Sequence, residues 1–175
     1  MFFIIPGIAI SIATFPGVIV HEAAHMLFCK LRGVAVFDVC FFQFENPCGY
    51  VVHERTEDFN TTFLICVGPF IVNSLLCIFI CLPAVLPFKV FDVLNFPSMF
   101  LLWLGISIGM HAFPSSGDAK SLQSQATKAR ADHNILAIIS YPIVVLINIA
   151  NVLTIVWFDL FYSAAIGLGL PALFL

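Results

Sequence analysis

The sequence contains very few charged residues. Its 175 residues include seven Lys or Arg and ten Asp or Glu, so charged types make up 10% of the chain and the formal net charge is -3. Hydrophobic types make up 61%. A soluble domain usually has about a quarter of its residues charged. The composition therefore excludes a soluble globular enzyme and a disordered segment, and the lack of a basic surface excludes a nucleic-acid-binding protein. An integral membrane protein remains.

Long uncharged stretches separate the few charges. With His counted as neutral, they cover residues 1–21, 59–88, 93–117, 133–158 and 160–175. A bilayer core is crossed by about 20 apolar residues in a helix, and the first four stretches are that long. The sequence predicts an all-α polytopic membrane protein of one domain, residues 1–175, with helices at about 3–29, 60–86, 95–113 and 135–158. Asp159 decides between four and five helices, because residues 160–175 form either a fifth one or the end of the fourth.

The polar residues fall into two blocks, residues 30–58 and 115–132. These blocks hold six of the seven Lys and Arg residues. Two predicted helices lie between the blocks, so both blocks are expected on the same side of the membrane. The positive-inside rule makes that side cytoplasmic. The compact form is typical of a protein of a prokaryotic cytoplasmic membrane.

The first polar block has the composition of a β-hairpin. Residues 34–44 are rich in β-branched and aromatic types, residues 45–49 read Glu-Asn-Pro-Cys-Gly, and a second extended run covers residues 50–54. This order of strand, turn and strand predicts a small membrane-associated hairpin over 34–54, after the first helix. In the second block, a loop at 113–117 is expected to lead into a short polar helix that starts at Asp118.

The cysteines lack the spacing of a metal or redox motif, because no C-x-x-C pair occurs. Cys66, Cys77 and Cys81 lie in apolar helix sequence, where a thiol behaves as a small hydrophobic side chain. Cys29, Cys40 and Cys48 lie on the side expected to be cytoplasmic, which is reducing. We therefore expect six free thiols.

The end of the first helix carries the motif His21-Glu-Ala-Ala-His25. Residues i and i+4 share one helix face, so both imidazoles can bind one metal ion, and Glu22 can act as a general base on a water molecule at that ion. Polar and ionisable residues at membrane depth are costly unless they are paired or functional. The motif predicts a site for one Zn²⁺ ion. Pro16-Gly17, just before it, either kinks the helix or is simply tolerated there.

A catalytic zinc site needs a third protein ligand and an open position. Asp118 is the best candidate, because it follows the third helix in a turn that can fold back into the protein. His111, His53 and His133 are the other candidates. For Asp118 the alternative is a helix N-cap, since a polar helix follows it. His111 can equally be a packing residue, and His53 and His133 can be surface residues.

These residues together resemble the site-2 protease family of intramembrane zinc metalloproteases. The resemblance rests on His21-Glu-Ala-Ala-His25, on Gly68-Pro69 with Asn73 in the next helix, and on His111-Ala-Phe-Pro-Ser-Ser-Gly-Asp118. It covers about residues 21–118. The chain departs from the family pattern because His111 stands where the family has Asn and Ala119 where it has Gly, and because the spacing from Pro114 to Asp118 is one residue shorter and that from Gly-Pro to Asn73 one residue longer. The chain is thus similar to a distant, compact branch of that family. From the residues alone, Gly68-Pro69 is expected to break or bend the second helix, and Asn73 to hydrogen-bond another helix in a packing role.

The resemblance implies an intramembrane zinc endopeptidase with His21, His25 and Asp118 as metal ligands. Glu22 is then the general base, and His111 is either a donor to the oxyanion or a ligand. The implied substrate is a membrane protein or peptide, cut in or near a transmembrane segment after that segment unwinds, with the site near the cytoplasmic face. A membrane metallohydrolase of another bond, and a non-catalytic binding or metal-transport protein, are the alternatives. Substrate-binding residues and the oligomeric state cannot be read from the sequence.

Overall fold

A computed structural model describes residues 6–91 and 95–174. In these ranges the chain is mostly helical, with one small antiparallel sheet. The elements in chain order are α1 (Gly7–Ala13), α2 (Phe15–Leu31), β1 (Val36–Cys40), β2 (Tyr50–His53), α3 (Phe59–Phe91), α4 (Phe96–Met110), α5 (Ser116–Ala131), α6 (Ile135–Leu153), α7 (Phe158–Ala164) and α8 (Leu170–Phe174). A 3₁₀ turn, Thr154–Val156, extends α6, and a π-helical turn, Ala165–Gly169, joins α7 to α8.

The first predicted helix is broken into α1 and α2, which meet at an angle of 89°. The predicted start at residue 3 lies outside the described residues. The break falls at Thr14, whose hydroxyl donates to the carbonyl of Ile10 at 2.7 Å and closes α1. Pro16 lies in the first turn of α2, where its missing N–H and fixed φ suit the start of a helix but not its interior. The predicted single helix is therefore wrong, and Pro16 marks the restart rather than a kink.

The predicted hairpin over 34–54 is confirmed as a two-stranded antiparallel sheet. The register pairs Asp38 with Val52, Val39 with Val51 and Cys40 with Tyr50, with an irregularity between Val36 and Asp38. Gly33 ends α2 with a φ of 68°, and the N–H of Val34 returns to the carbonyl of Cys29 at 2.9 Å. This left-handed helix end turns the chain from α2 directly into the hairpin.

Helix α3 runs without interruption through Pro69, Pro83 and Pro87. The predicted break at Gly68-Pro69 is therefore wrong. Gly68 instead allows close contact with α2, because a Cβ at this position would overlap the ring of Phe28. At 33 residues, α3 is about 50 Å long, which exceeds the hydrocarbon thickness of a bilayer.

Two described helices are long and apolar enough to cross a membrane, the segments Phe59–Lys89 and Ile135–Val156, and the bent pair α1–α2 would make a third. Helix α4 has 15 residues, about 22 Å, so it is shorter than the predicted 95–113. Helix α4 ends at Met110. The backbone N–H of His111 closes the last turn by donating to the carbonyl of Ile108 at 3.2 Å, and Pro114 follows. By length alone, the described helices do not reach the predicted four or five spans.

The chain breaks again after α6, at Trp157, which has a φ of 63°. A left-handed residue cannot continue a right-handed helix, so α6 and α7 are separate elements. Asp159 lies in the first turn of α7, two residues after the break. The residues after 133 therefore form two separate segments, rather than one long helix.

The polar helix α5 is held to the bundle by a narrow apolar face. Ala119, Leu122 and Ala126 are buried against Cys66 and Val67 of α3 and against three residues of α6: Ala137, Val144 and Ile147. The spacing of three and four residues puts the α5 side chains on one helix face. The second polar block therefore packs on α3 although its composition is polar.

The two polar blocks lie on the same side of the helices, as predicted. The Thr62 hydroxyl of α3 donates to Gln125 of α5 at 2.8 Å, and the Gln125 amide donates to the carbonyl of Thr56 at 3.2 Å. A groove of about 930 Å³ is lined by residues 55–59 on one side and by α5 on the other. The α2 end joins this surface, since Arg32 donates to Thr61 at 2.9 Å and lies 3.5 Å from Asp58.

Small residues bring α3, α4 and the C-terminal segment into close contact. Gly105 and Gly109 of α4 face Cys81 and Cys77 of α3, and Gly167 faces both thiols. All six cysteines lie in the described ranges and are free thiols. Small side chains at every fourth residue let membrane helices approach closely and gain van der Waals contact.

We expect Gly109→Ala to lower the free energy of unfolding by about 1–3 kcal/mol through overpacking. A Cβ there would lie 2.8 Å from the Ser163 Cβ and from the Cys77 Sγ. The matched control is Gly169→Ala, because a Cβ at Gly169 has no neighbour within 4 Å. Ala is otherwise the better helix former, so the control should be neutral or stabilising. Thermal unfolding in detergent measures both, and equal midpoints would contradict the described contact.

Candidate metal centre

His21 and His25 lie one turn apart on the buried face of α2. Their exposed fractions are 7% and 5%, and their Nε2 atoms are 3.1 Å apart. The spacing of four residues places both rings over the same side of the helix. The two Nε2 atoms, which pair with each other in the described structure, can therefore serve one ion that takes the place of this hydrogen bond.

Asp118 joins the two histidines from the start of α5. Its Oδ2 lies 3.4 Å from the Nε2 of His25. One ligand atom from each of His21, His25 and Asp118 lies within 4.8 Å of the other two. Among the described residues, this is the group of His, Cys, Asp and Glu side chains that could hold a metal ion.

Ser115 is the N-cap of α5, which leaves the Asp118 carboxylate free to turn toward the histidines. The Asp118 N–H donates to the Ser115 Oγ at 3.2 Å, and the Ser115 hydroxyl donates to the Asp118 Oδ2 at 2.6 Å. The first bond is the N-cap half of a capping box, and the second holds the Asp118 carboxylate against the N-cap hydroxyl. The alternative that Asp118 is itself the N-cap is therefore wrong.

The surroundings of Asp118 favour its charged form. Burial alone would raise the pKa of Asp118, but hydrogen bonds from His25 and Ser115, together with the charges of His25 and His21, outweigh burial and lower this pKa to about 2. The ionised carboxylate is the form that can bind a metal ion.

The orientation of His21 is fixed by the carbonyl group of His111. The Nδ1–H of His21 donates to this oxygen at 2.6 Å. A carbonyl oxygen can only accept, so Nδ1 carries the proton, and the Nε2 of the neutral ring presents its lone pair toward the His25 Nε2. Metal-binding histidines commonly donate their second ring N–H in this way, which fixes both tautomer and ring direction.

Asn73 supports the same carbonyl from α3. Its side-chain amide donates to the His111 oxygen at 3.0 Å and to the Ile108 oxygen at 3.1 Å. Asn73 is fully buried, and in the described part of the chain its Oδ1 has no hydrogen-bond partner. The prediction that Asn73 hydrogen-bonds another helix is confirmed, and its target is the end of α4, which carries the His111 carbonyl.

The His111 side chain lies outside this group. Its Nε2 is 2.7 Å from the hydroxyl of Thr14, at the break between α1 and α2. The ring rests close to Gly17, on the side of α2 that faces α4. The structure therefore does not bring the imidazole to the three ligands. The sequence left His111 as a donor to the oxyanion, a ligand or a packing residue; in the structure its ring is turned to Thr14 and is not part of the described group of possible ligands, while its backbone carbonyl faces His21.

Glu22 lies next to the ligands, under the turn of the hairpin. It is partly buried, and a Cβ on Gly49 would lie 2.8 Å from its Cγ. In the described ranges, its carboxylate makes no hydrogen bond or ion pair with another side chain. The hairpin turn thus covers Glu22 without engaging its oxygens, which leaves them available to a water molecule or a substrate.

The other two candidate ligands lie elsewhere. His53, at the end of β2, donates from Nδ1 to the carbonyl of Glu54 at 2.8 Å, and His133 is exposed after α5. Neither belongs to the described group of possible ligands.

Sequence reasoning missed two residues that shape this centre, Ser115 and Thr14. The pattern Ser115-Ser-Gly-Asp118 has the spacing of a capping box and could have identified Ser115. Nothing in the sequence indicates that Thr14 meets His111, because 97 positions separate them.

The donor set fits zinc. Two imidazole nitrogens and one carboxylate oxygen are ligands that Zn²⁺ takes in catalytic sites, with a fourth position left for a small molecule. The C-terminal end of α4 also points its carbonyl groups at this region, and the negative end of a helix dipole favours a cation. A comparison of the chain with protein-family models, with curated proteins and with solved structures finds no match.

We expect Asp118→Ala and His25→Ala to abolish stoichiometric zinc binding, whereas Ser115→Ala should lower zinc affinity about 10–100-fold by releasing the carboxylate. His53→Ala is the matched control, since it removes an imidazole that does not belong to the group of possible ligands. Metal analysis of purified protein after dialysis against a weak chelator measures the difference. Zinc retention by Asp118→Ala at the wild-type level would exclude Asp118 as a ligand.

Proposed function

We propose that this protein is a membrane-embedded zinc endopeptidase that hydrolyses a peptide bond in or near a transmembrane segment of another membrane protein. The observation that carries the proposal is the convergence of His21, His25 and Asp118 from two distant parts of the chain, with Glu22 beside them. The three side chains would hold one Zn²⁺ ion. The likeness of the motifs to the site-2 protease family supports the same reaction.

When bound, the metal ion supplies a Lewis acid that polarises a carbonyl group and makes a water molecule more acidic. The protein residues supply the proton transfers. A Glu22 carboxylate oxygen accepts the proton of the attacking water and returns it to the amine that leaves. His21 is held in its ligand tautomer by the His111 carbonyl, and Asp118 is held by Ser115.

The depth of the centre suits a reaction that needs water inside a membrane protein. Lys30 follows His25 by five positions on α2, which is about 8 Å along the helix axis. Arg32, Asp58 and the groove between residues 55–59 and α5 lie at this same end. Water from the polar face, which we propose to be cytoplasmic, has only a short path to the ligands.

The proposal places the remaining apolar helices in the bilayer as well. Helix α6 exposes Ile139, Leu146 and Val152 at 62–69%, which suits contact with lipid. The short helix α4 contacts α3 along small residues, as membrane helices do. With the segment Phe158–Leu173, this arrangement amounts to the four or five membrane segments expected from the sequence.

The hairpin is the proposed receiver of the substrate. A helix shields its own peptide bonds, so the segment to be cut must unwind and become extended. A two-stranded sheet has open edges to which an extended chain can add as a further strand. The turn of this hairpin lies on Glu22 and Val18, so a strand added to the sheet would lie beside the general base.

We expect Glu22→Gln to abolish cleavage of a membrane-helix substrate while zinc content stays stoichiometric. The amide keeps the size of the side chain but cannot accept the proton. Loss of a general base lowers the rate of hydrolysis by about 10²–10⁴-fold. The assay uses purified protein in lipid vesicles, with a chelator and zinc re-addition as controls. Glu57→Gln is the matched variant, because it alters a carboxylate of the polar face away from the ligands.

The outcomes separate the alternatives. The protein could bind zinc and cleave no peptide, yet hydrolyse another bond in a reaction that depends on Glu22. This outcome would favour a membrane metallohydrolase of that bond. Full biological effect of Glu22→Gln would contradict both enzymes and favour a binding or metal-transport protein.

A further inference from the structure

The contact between Thr14 and His111 joins two places where the backbone is interrupted. Thr14 lies at the break between α1 and α2, and His111 caps the C-terminal end of α4. Their side chains meet at 2.7 Å, between the Thr14 hydroxyl and the His111 Nε2. The His111 backbone carbonyl, in the same residue, receives the Nδ1–H of His21. A ring with no ligand role is thus attached to the backbone group that orients a ligand.

The direction of the hydrogen bond follows from proton counting. The Thr14 hydroxyl has one proton, and it donates this proton to the carbonyl of Ile10 at 2.7 Å. Toward His111, therefore, the hydroxyl can only accept, so the Nε2 of His111 carries a proton and donates it. The result is a directed chain in which the imidazole of His111 donates to Thr14 and Thr14 donates to the last turn of α1.

The His111 carbonyl has two lone pairs, and both are used. One accepts from the Nδ1–H of His21 at 2.6 Å and the other from the Asn73 amide at 3.0 Å. This oxygen is one of the last carbonyls of α4, which have no partner within the helix. The position of this oxygen therefore depends on the contacts of residue 111. Besides His21, these described contacts are Asn73, which donates to the oxygen, and Thr14, which accepts from the ring.

We propose that His111 is a positioning residue: its imidazole, anchored on the Thr14 hydroxyl, fixes the carbonyl that sets the tautomer and direction of the metal ligand His21. The proposal rests on the zinc centre of the proposed function and deepens it. It assigns a role to Thr14, which no sequence motif indicates, and replaces a catalytic role of the His111 ring. The α1–α2 break then serves the centre, since a continuous helix would not leave the Thr14 hydroxyl at this point.

The test compares zinc affinities of the full chain in detergent micelles by competition with a chromophoric chelator. Thr14→Val removes the hydroxyl and keeps the shape, and His111→Ala removes the ring and keeps the carbonyl. We expect each to lower zinc affinity about tenfold, as loss of a supporting hydrogen bond does. Both substitutions remove the same hydrogen bond, so the double variant should bind zinc no more weakly than the weaker-binding of the two single variants. Thr14→Ser keeps the hydroxyl, so this variant should bind zinc with wild-type affinity.

Thr127→Val is the matched control. The Thr127 hydroxyl also donates to a carbonyl four residues earlier, Gln123, at 2.9 Å, but it lies on the exposed side of α5. This variant should bind zinc as the wild type does. Wild-type affinity in Thr14→Val would overturn the proposal. So would a far larger loss in His111→Ala with additive effects in the double variant, because the ring would then act on the metal directly.

A second measurement keeps this inference separate from the proposed function. Nitrogen NMR of ¹⁵N-histidine in the metal-free chain should show the proton of His21 on Nδ1 and that of His111 on Nε2. Thr14→Val should shift both rings. If wild-type protein binds no zinc, the proposed metal centre fails, yet these two tautomers still decide the role of His111. A His21 proton on Nε2 in the metal-free wild type would overturn the proposal by itself.

Discussion

The His111 carbonyl oxygen is the point on which three helices of this protein depend. It ends α4, it accepts from His21 of α2 at 2.6 Å, and it accepts from Asn73 of α3 at 3.0 Å. Burying polar groups in an apolar protein is costly unless they are paired, and membrane surroundings make the cost larger. One oxygen accepts from both a buried histidine and a buried asparagine. The ligand tautomer and the packing of the bundle are therefore set by the same contact.

The dipoles of two helices meet at this contact. Helix α4 brings its carbonyl end toward the histidines, and α5 begins nearby with Ser115 and Asp118. The end of α4 favours a positive charge and the start of α5 favours a negative one. A cation held by a carboxylate has both preferences satisfied. The short loop between the two helices, residues 111–115, is therefore as important to the centre as the motif on α2.

The sequence was sufficient for features that depend on local pattern. His21 and His25 share a helix face by spacing alone, and residues 34–54 have the composition of the hairpin that the structure contains. Asp118 was identified because a turn precedes it. Features that depend on distant partners were not accessible. The contact of Thr14 with His111 joins residues 97 positions apart, and the contact of Gly68 with Phe28 joins α3 to α2, while α3 runs on through Pro69.

The role of His111 shows why residue type alone misled. An imidazole near a zinc motif suggests a ligand or an oxyanion donor, since these are functions of its side chain. The atom of residue 111 that contacts His21 is a backbone oxygen, which every residue possesses, so no residue type at position 111 could reveal this contact. The side chain matters through Thr14, and the Asn73 Oδ1, which has no partner in the described part of the chain, shows that the amide is turned to donate rather than accept. The side chains of His21 and Asn73 are thus oriented by one acceptor, the His111 carbonyl, and that acceptor has its place because α4 ends where it does.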